Sequence, residues 1–262
     1  MKLTNKSIVI IGGTSGMGLS AAKACVAEGA RVFAVGKDDE HASAARTMLG
    51  AAACVITGDA TDSETAPRAI QAALSQFGRF DALYHVAGGS GRRMGDGPLH
   101  ELTDEGWDAT FKLNLTSLFY SNRAAVQQFL KQKTSGAILN MGSVLGFSPS
   151  PKYFVTHAYA AAKSAVIGFT RSTAAYYAPF QIRLNVIAPA LVETPMAARA
   201  ASDENILRFI GTKQPLDGGR IGLPADLDAA VVYFLSDESR FVTGQVLSID
   251  GGWSVTEGQY PE

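Results

Sequence analysis

Tyr159 and Lys163 are the residues whose types and spacing offer chemistry most directly. Side chains four residues apart on a helix lie on one face, so the phenol and the ammonium would be neighbours. A phenol beside a positive charge loses its proton more readily than a free phenol, whose pKa is about 10. The pair predicts acid–base chemistry at a carbonyl or alcohol oxygen. Because so short a pattern often arises by chance, its weight depends on its surroundings.

The elements that must position this pair alternate between short apolar runs and longer helical segments. Continuously apolar runs predict strands that are buried on both faces, at residues 7–11, 31–35, 53–57, 82–86, 137–141, 182–187 and 246–249. Helices are predicted at residues 16–28, 39–49, 63–77, 104–133, 157–178 and 225–236. The alternation predicts an α/β fold: a single-domain, doubly wound, Rossmann-type, seven-stranded parallel sheet with helices on both faces, spanning residues 1–262.

Four glycines, at positions 12, 13, 16 and 18, separate the first strand from the first helix. Ligands of such sheets bind beyond the carboxyl ends of the strands. Glycines there let phosphates approach the backbone, and a helix N-terminus offers free N–H groups and a positive dipole end. A glycine-rich turn without a ligand is the less favoured alternative, because so many glycines weaken a core turn. The spacing differs from G-x-G-x-x-G.

The segment from Ile11 to Gly18 resembles the T-G-x-x-x-G-x-G loop of the short-chain dehydrogenase/reductase family, especially its 3-oxoacyl-reductase-like members. Further matches follow in family order along almost the whole chain. They are Asp59-Ala60, Ala87-Gly88, Asn114, Ser143, Tyr159 with Lys163, Pro189 to Thr194, and Ile249 to Gly252. Many matches in the family's order are far more specific than any one of them.

The resemblance implies an oxidoreductase that transfers a hydride between a nicotinamide cofactor and a carbonyl or secondary alcohol. The implied catalytic residues are Asn114, Ser143, Tyr159 and Lys163. Ser143 would hydrogen-bond the substrate oxygen, and Tyr159 would give or take its proton. Lys163 would also bind the nicotinamide ribose, and Asn114 would hold a water that links this lysine to solvent.

The resemblance also implies a set of cofactor-binding residues, which includes Asn114, Tyr159 and Lys163. The others are Gly12, Thr14, Ser15, Gly16, Met17, Gly18, Lys37, Asp59, Ala60, Ala87, Gly88, Pro189, Val192 and Thr194. NADP(H) is favoured because Gly36 stands where NAD enzymes usually carry an acid, and Lys37 follows it. NAD(H) stays open because Asp38 comes next and Lys37 could be a solvated surface charge.

The largest departure from the family pattern lies in a loop at the expected mouth of the substrate pocket. The chain between Ser143 and Tyr159 is longer than the family's, and the extra length falls in the proline-containing segment 148–153. We expect this stiffened loop to shape substrate choice. His85 replaces a family asparagine and is either a cofactor-region contact or a packed core histidine. Tyr153 competes with Tyr159 for the catalytic role but lacks a lysine four residues later, so we expect it to line the pocket or pack.

Smaller departures are Ile11 and Ala190, which replace a threonine and a glycine of the family. A substrate lid is expected within residues 190–224, and the pocket is expected from residues 144–157, 89–97 and 190–215. Its substrate stays open among 3-oxoacyl thioesters, sugar ketones and steroid-like alcohols. Two other functions stay open as well: a non-catalytic nucleotide-sensing protein, or a lyase or epimerase on the same scaffold.

Composition narrows the class of protein. With 47% hydrophobic residues and a net charge of −1, the chain is typical of a globular protein without a nucleic-acid footprint. Cys25 and Cys54 are expected to be buried thiols, and the histidines at 41, 85, 100 and 157 lack metal-ligand spacing. No apolar run is long enough to span a membrane, so we expect a soluble cytoplasmic protein without a metal. Family members commonly form homotetramers or homodimers, here through residues 104–133, 157–178 and 246–252.

Overall fold

A computed structural model describes residues 1–261 of the chain. Its centre is one parallel sheet in the order β3-β2-β1-β4-β5-β6-β7. The strands are β1 (Ser7–Ile11), β2 (Arg31–Gly36), β3 (Ala53–Thr57), β4 (Ala82–His85), β5 (Gly136–Met141), β6 (Ile182–Pro189) and β7 (Val246–Ile249). Every neighbouring pair is parallel. The predicted seven-stranded, doubly wound sheet is therefore confirmed.

Helices connect consecutive strands and cover both faces of the sheet. They are α1 (Gly16–Ala27), α2 (Asp39–Leu49), α3 (Thr65–Phe77), α4 (Asp104–Phe111), α5 (Ser117–Gln132), α6 (His157–Tyr177), α7 (Ala198–Ala201), α8 (Glu204–Lys213) and α9 (Asp228–Leu235). The last of these begins later than predicted, after a 3₁₀ turn at Pro224–Leu227.

The prediction of a single long helix over residues 104–133 is wrong, because the helix is interrupted in its middle. A π-type turn at Lys112–Thr116 separates α4 from α5. At its centre the Asn114 amide donates a 2.9 Å hydrogen bond to the carbonyl of Thr110, one turn back. Ser117 likewise donates to the carbonyl of Leu113 at 2.6 Å. Side-chain donors that compete for helical carbonyls favour such local rearrangements of the hydrogen-bond ladder.

The sheet is apolar on both faces because consecutive residues of each strand point to opposite sides. In β1, Ile8 and Ile10 pack in the core cluster beneath α1, α2 and α9. Val9 and Ile11 pack in the opposite cluster, beneath α3 and α5. A smaller apolar cluster holds Phe209 of α8 and Trp253 against the end of β5, outside the main sheet core.

The strand order reverses between β1 and β4. From β1 the chain builds outward through β2 to β3, and it then returns to build β4 to β7 on the other side. The loops that leave the carboxyl ends of β1 and β4 consequently diverge and open a crevice between them, which is where such sheets bind ligands.

The two cysteines differ in their burial. Cys25 in α1 is buried, and burial raises the pKa of its thiol to about 12. Cys54 of β3 is only half-buried, which corrects the prediction of two buried thiols: β3 is the edge strand, so one side lacks a neighbour.

Within residues 1–261, no helix is long and apolar enough to cross a membrane, and no cluster of side chains could hold a metal ion.

Candidate active site

The loop after β1 forms a cradle without side chains. Gly12 has a φ of +93°, and a Cβ there would lie 2.6 Å from the backbone nitrogen of Ala87. A Cβ on Gly18 would collide with the carbonyl oxygen of Gly12. Ser15 is the N-cap of α1, yet its side chain makes no capping hydrogen bond. The N–H groups of the first turn therefore point to a place where a phosphate fits, as a dinucleotide requires.

A groove runs from this cradle along the carboxyl edge of the sheet and opens into a deeper pocket. Met17, Val86, Gly88 and Thr194 line both parts, so the two form one continuous cleft. The residues predicted to bind the cofactor line this cleft, apart from Asn114. Those in the groove are Gly12, Thr14, Ser15, Gly16, Met17, Gly18, Lys37, Asp59, Ala60, Ala87, Gly88 and Thr194, and those in the pocket include Tyr159, Lys163, Pro189 and Val192.

The far end of the groove carries Gly36, Lys37 and Asp59. A Cβ on Gly36 would collide with the Thr14 side chain, so an acidic side chain does not fit at position 36. Lys37 is largely exposed, and its ammonium lies 2.8 Å from the Asp59 carboxylate. This contact and hydrogen bonds from Thr61 lower the pKa of Asp59 to about 2. The cation at this end is thus already paired with a carboxylate.

Ser143, Tyr159 and Lys163 line the deeper pocket together. Ser143 follows β5 directly, and its hydroxyl accepts a 3.2 Å hydrogen bond from the backbone N–H of Leu145. Tyr159 and Lys163 lie one turn apart in α6, with the ammonium 5.5 Å from the centre of the phenol ring. The ammonium donates a 2.9 Å hydrogen bond to the carbonyl of Met141 at the end of β5. The end of one strand and one helix thus bring the predicted side chains together.

Burial has the largest effect on the pKa values of Tyr159 and Lys163. It raises the pKa of the Tyr159 phenol, and a hydrogen bond with Ser143 opposes the effect. Burial lowers the pKa of Lys163 to about 8. The lowered phenol pKa predicted from the Tyr159–Lys163 pair is therefore not found, because the desolvation of the phenolate outweighs the hydrogen bond with Ser143. The raised pKa favours the protonated phenol, which is the form that can donate a proton.

Comparisons with known proteins agree with this geometry. The family model described as enoyl-(acyl carrier protein) reductase matches residues 12–254. The chain is 33% identical over 259 residues to 2-(S)-hydroxypropyl-CoM dehydrogenase 3 of Xanthobacter autotrophicus, covering 96% of this chain and 97% of that protein. It is 32% identical over 254 residues to a 3-oxoacyl-[acyl-carrier-protein] reductase of Chlamydia trachomatis, covering 95% and 98%.

A solved short-chain type dehydrogenase/reductase from Mycobacterium ulcerans superposes with a TM-score of 0.90 at 28% identity, covering 98% of this chain and 93% of that one. The chain belongs to the short-chain dehydrogenase/reductase family. It is an oxidoreductase of the class that acts on alcohols and ketones, and the family binds nicotinamide cofactors.

Asn114 is the one predicted catalytic residue of this dehydrogenase/reductase that does not line the cleft. It is fully buried, and its amide exchanges two hydrogen bonds with the backbone of Gly89, at 3.0 Å and 2.9 Å. A Cβ on Gly88 would lie 2.8 Å from the Asn114 amide oxygen and 3.5 Å from the Lys163 ammonium. Asn114 therefore braces the loop after β4 directly beside the lysine.

Asp96 is a residue of the site that sequence analysis missed. One of its carboxylate oxygens accepts from the N–H of Ala158 at 3.0 Å, and the other accepts from the N–H of Tyr159 at 2.9 Å. The carboxylate is buried and faces the positive end of α6. It thus caps the helix that carries the phenol. No local sequence pattern predicts this contact, because the partners are 62 and 63 residues apart.

Three further residues line the pocket: Arg92 and Arg199, which lie in the expected segments 89–97 and 190–215, and Trp253, which sequence analysis missed. Trp253 is buried, and its indole N–H donates a 3.2 Å hydrogen bond to the carbonyl of Ser148. It follows the Gly251-Gly252 turn of the family's C-terminal signature, which was the one available signal. Arg92 and Arg199 both donate to the carbonyl of Tyr153. The proline-containing loop is therefore held at both of its ends.

The structure decides two open alternatives. His85 is buried, and its ring nitrogens lie 2.9 Å and 3.3 Å from the hydroxyls of Ser121 and Ser117. Burial lowers its pKa to about 3, so it is a neutral, packed core histidine. The ring of Tyr153 packs against Phe209 and Tyr260, with ring centres 5.5 Å and 5.7 Å away. Tyr153 therefore packs and does not compete with Tyr159.

Proposed function

We propose that this chain reduces a ketone to a secondary alcohol with NADPH, with Ser143, Tyr159, Lys163 and Asn114 as its catalytic set. The observation that carries this proposal is the placement of the Tyr159 phenol beside Ser143 and Lys163, in a pocket continuous with the phosphate cradle. A group that holds its proton is suited to protonate the oxygen of a carbonyl during reduction.

Each residue has a role that follows from its place. A nicotinamide held in the groove beside Met17, Gly88 and Thr194 would supply the hydride. The Ser143 hydroxyl donates a hydrogen bond to the substrate oxygen and stabilises the negative charge that develops there. Tyr159 transfers its proton to that oxygen, and the Lys163 ammonium favours the resulting phenolate. Asn114 holds the Gly89 backbone and thereby the wall of the pocket beside Lys163.

The preference for NADPH over NADH rests on the far end of the groove. Thr14 leaves no room for an acidic side chain at position 36, which is the group that usually bonds the ribose 2′-hydroxyl in NAD enzymes. Lys37 lines the groove at that end and would face a 2′-phosphate. Its ion pair with Asp59 weakens this attraction, so the expected preference is modest.

Residues 190–224 would act as the substrate lid. Pro189 to Val192 and Met196 to Ala200 line one side of the pocket, which is mostly apolar. Names of relatives include a hydroxypropyl-CoM dehydrogenase, a 2-keto-3-deoxy-L-fuconate dehydrogenase and a 3beta-hydroxysteroid dehydrogenase. Their diversity supports the class of reaction and leaves the carbon skeleton of this chain's substrate open.

We also propose assembly as a homotetramer or homodimer through α4, α5, α6 and β7. Large apolar side chains are exposed on these elements, among them Trp107, Phe119, Tyr176 and Leu247. Patches of this kind mark interaction surfaces. Size-exclusion chromatography with light scattering tests the proposal, and a monomer at micromolar concentration would contradict it. A cytoplasmic location stays a prediction.

The test of the function is a panel of ketones with NADPH, followed by the absorbance of the reduced cofactor. Tyr159→Phe should lower kcat by about 10²- to 10⁴-fold while NADPH still binds, because only the proton donor is lost. Tyr153→Phe is the matched control, since its ring packs away from the catalytic group. NADPH binding without any turnover would favour the nucleotide-sensing alternative. Product formation without oxidation of NADPH would favour the lyase or epimerase.

A further inference from the structure

Two arginines stand at the mouth of the catalytic pocket. Arg92 comes from the loop after β4, and Arg199 comes from α7 in the proposed lid. Both line the pocket that contains Ser143 and Tyr159. They reach this place from segments about a hundred residues apart in the chain, so only the fold pairs them.

The two guanidinium groups converge on one atom. Arg92 donates a 3.1 Å hydrogen bond to the carbonyl oxygen of Tyr153, and Arg199 donates one of 3.3 Å to the same oxygen. Two like charges around a single neutral acceptor repel each other. Burial and the neighbouring Arg199 accordingly lower the pKa of Arg92. The pair therefore has an excess of positive charge at the pocket entrance.

The Asp96 charge partly opposes the lowering of the Arg92 pKa, but Asp96 forms no ion pair with either arginine. Asp96 uses one carboxylate oxygen for the N–H of Ala158 and the other for the N–H of Tyr159. Among residues 1–261, neither Arg92 nor Arg199 has a carboxylate within salt-bridge distance. Each guanidinium has five N–H donors, and within the described residues one of them is used on a protein acceptor.

The remaining donors match an oxyanion. Guanidinium groups bind carboxylates and phosphates through paired, charge-assisted hydrogen bonds, and two of them can hold one anion from two directions. The cofactor's phosphates would lie at the other end of the cleft, at the N-terminus of α1 and near Lys37. An anion at the pocket mouth would thus belong to the substrate.

We propose that Arg92 and Arg199 bind an oxyanion, a carboxylate or a phosphate, at the end of the substrate remote from the reacting carbonyl. This inference rests on the proposed function and specifies its substrate class: an oxo compound with an apolar middle and an anionic end. It also gives the proline-containing loop 148–153 a role, because the carbonyl of Tyr153 holds the two guanidinium groups together.

Binding of a non-reacting ligand tests the anion site without any turnover. Isothermal titration calorimetry on the full chain saturated with NADP⁺ would compare straight-chain carboxylates from butanoate to octanoate with their uncharged amides and with alkyl phosphates. We expect the best carboxylate or phosphate to bind at least about tenfold more tightly than its uncharged counterpart. The carboxylate and phosphate arms distinguish which oxyanion is preferred.

Variants assign the binding to the pair. Arg92→Gln and Arg199→Gln should each weaken anion binding about tenfold and leave amide binding unchanged, and Arg92→Lys should restore part of it. Arg93→Gln is the matched control, because this neighbouring arginine does not line the pocket. Equal affinity for anion and amide in the wild type, or equal losses in the Arg93 variant, would overturn the inference.

Reduction of methyl-ketone acids and their amides separates this inference from the proposed function. The kcat/KM ratio of acid to amide should be about ten or more in the wild type and fall towards one in the Arg92 and Arg199 variants. Equal reduction of acids and amides in all variants would overturn the anion site and keep the reductase. Tight anion binding without reduction of any ketone would keep the anion site and overturn the reductase.

Discussion

The phosphate cradle and the mouth of the substrate pocket lie in one cleft but are built in opposite ways. The cradle comes from one continuous segment, Gly12 to Gly18, which leaves the buried strand β1 and includes the first residues of α1. The pocket mouth comes from four remote pieces: the loop after β4, Phe154 and Thr156 just after the proline-containing loop, α7 and Trp253. The cradle works by leaving side chains out, whereas the mouth works by placing large side chains in contact.

Because of this difference, cofactor binding and substrate choice depend on different parts of the cleft. A cradle made of backbone serves any ligand with the same phosphates, so it needs little beyond small residues at fixed spacing. A pocket mouth made of side chains on loops can change without disturbing the sheet. The chain can therefore keep a common cofactor and acid–base group while its substrate is set elsewhere.

The largest expected effect comes from filling the cradle. Gly18→Ala should remove detectable binding of NADPH and lower the free energy of unfolding by about 1–3 kcal/mol, because the new Cβ collides with the carbonyl of Gly12. Calorimetry with NADPH and urea unfolding measure the two effects. Gly168→Ala in α6 is the control, since its Cβ position is open and alanine suits a helix. Wild-type NADPH affinity in the Gly18 variant would contradict the role of the cradle.

At the pocket end, the helix cap should affect the reaction and spare the cofactor. Asp96→Asn should lower kcat about tenfold with little change in the dissociation constant of NADPH, since an amide accepts from only one of the two N–H groups and loses the charge at the helix terminus. Asp203→Asn is the control for the lost charge, because Asp203 caps α8 outside the pocket and accepts both N–H groups with one oxygen, which an amide retains. Equal losses of kcat in both variants would mean that Asp96 only stabilises the fold.

The buried lysine predicts how reduction depends on pH. Burial lowers the pKa of Lys163 to about 8, so its ammonium is present below that pH and is lost above it. The kcat for reduction should therefore fall as the pH rises through about 8. Lys163→Arg keeps its charge throughout and should show no fall in this range, whatever its absolute rate. A flat wild-type profile up to about pH 10 would show that the ammonium is not required.

The smallest expected effect lies at the exposed end of the groove. Lys37→Ala should reduce the ratio of kcat/KM for NADPH over NADH about fivefold, because a solvent-exposed ion contact contributes about 1 kcal/mol or less. Asp59→Asn should raise the ratio by freeing the ammonium. Lys2→Ala is the control, since that lysine pairs with Glu238 away from the groove. A wild-type ratio below one would overturn the NADPH preference.

Much of the fold could be predicted because its signals are local. Apolar runs predicted all seven strands within about two residues, and Tyr159 and Lys163 share a helix face whatever surrounds them. The π-type turn at Lys112–Thr116 could not be predicted, since it depends on which carbonyls the Asn114 amide meets. The protonation of Tyr159 could not be predicted either, because the desolvation of its phenol is a property of the assembled pocket.

Local sequence is enough to specify the alternation of strands and helices, the glycine spacing of the cradle and the pairing of a phenol with an ammonium. These features depend on residues close in sequence, because backbone geometry fixes which of their side chains are neighbours. The folded chain was needed to find that Asp96 caps the helix of Tyr159, that His85 is a core residue, and that Arg92 lies beside Arg199. Such contacts join distant segments, and the packing of the whole sheet and its helices sets their distances.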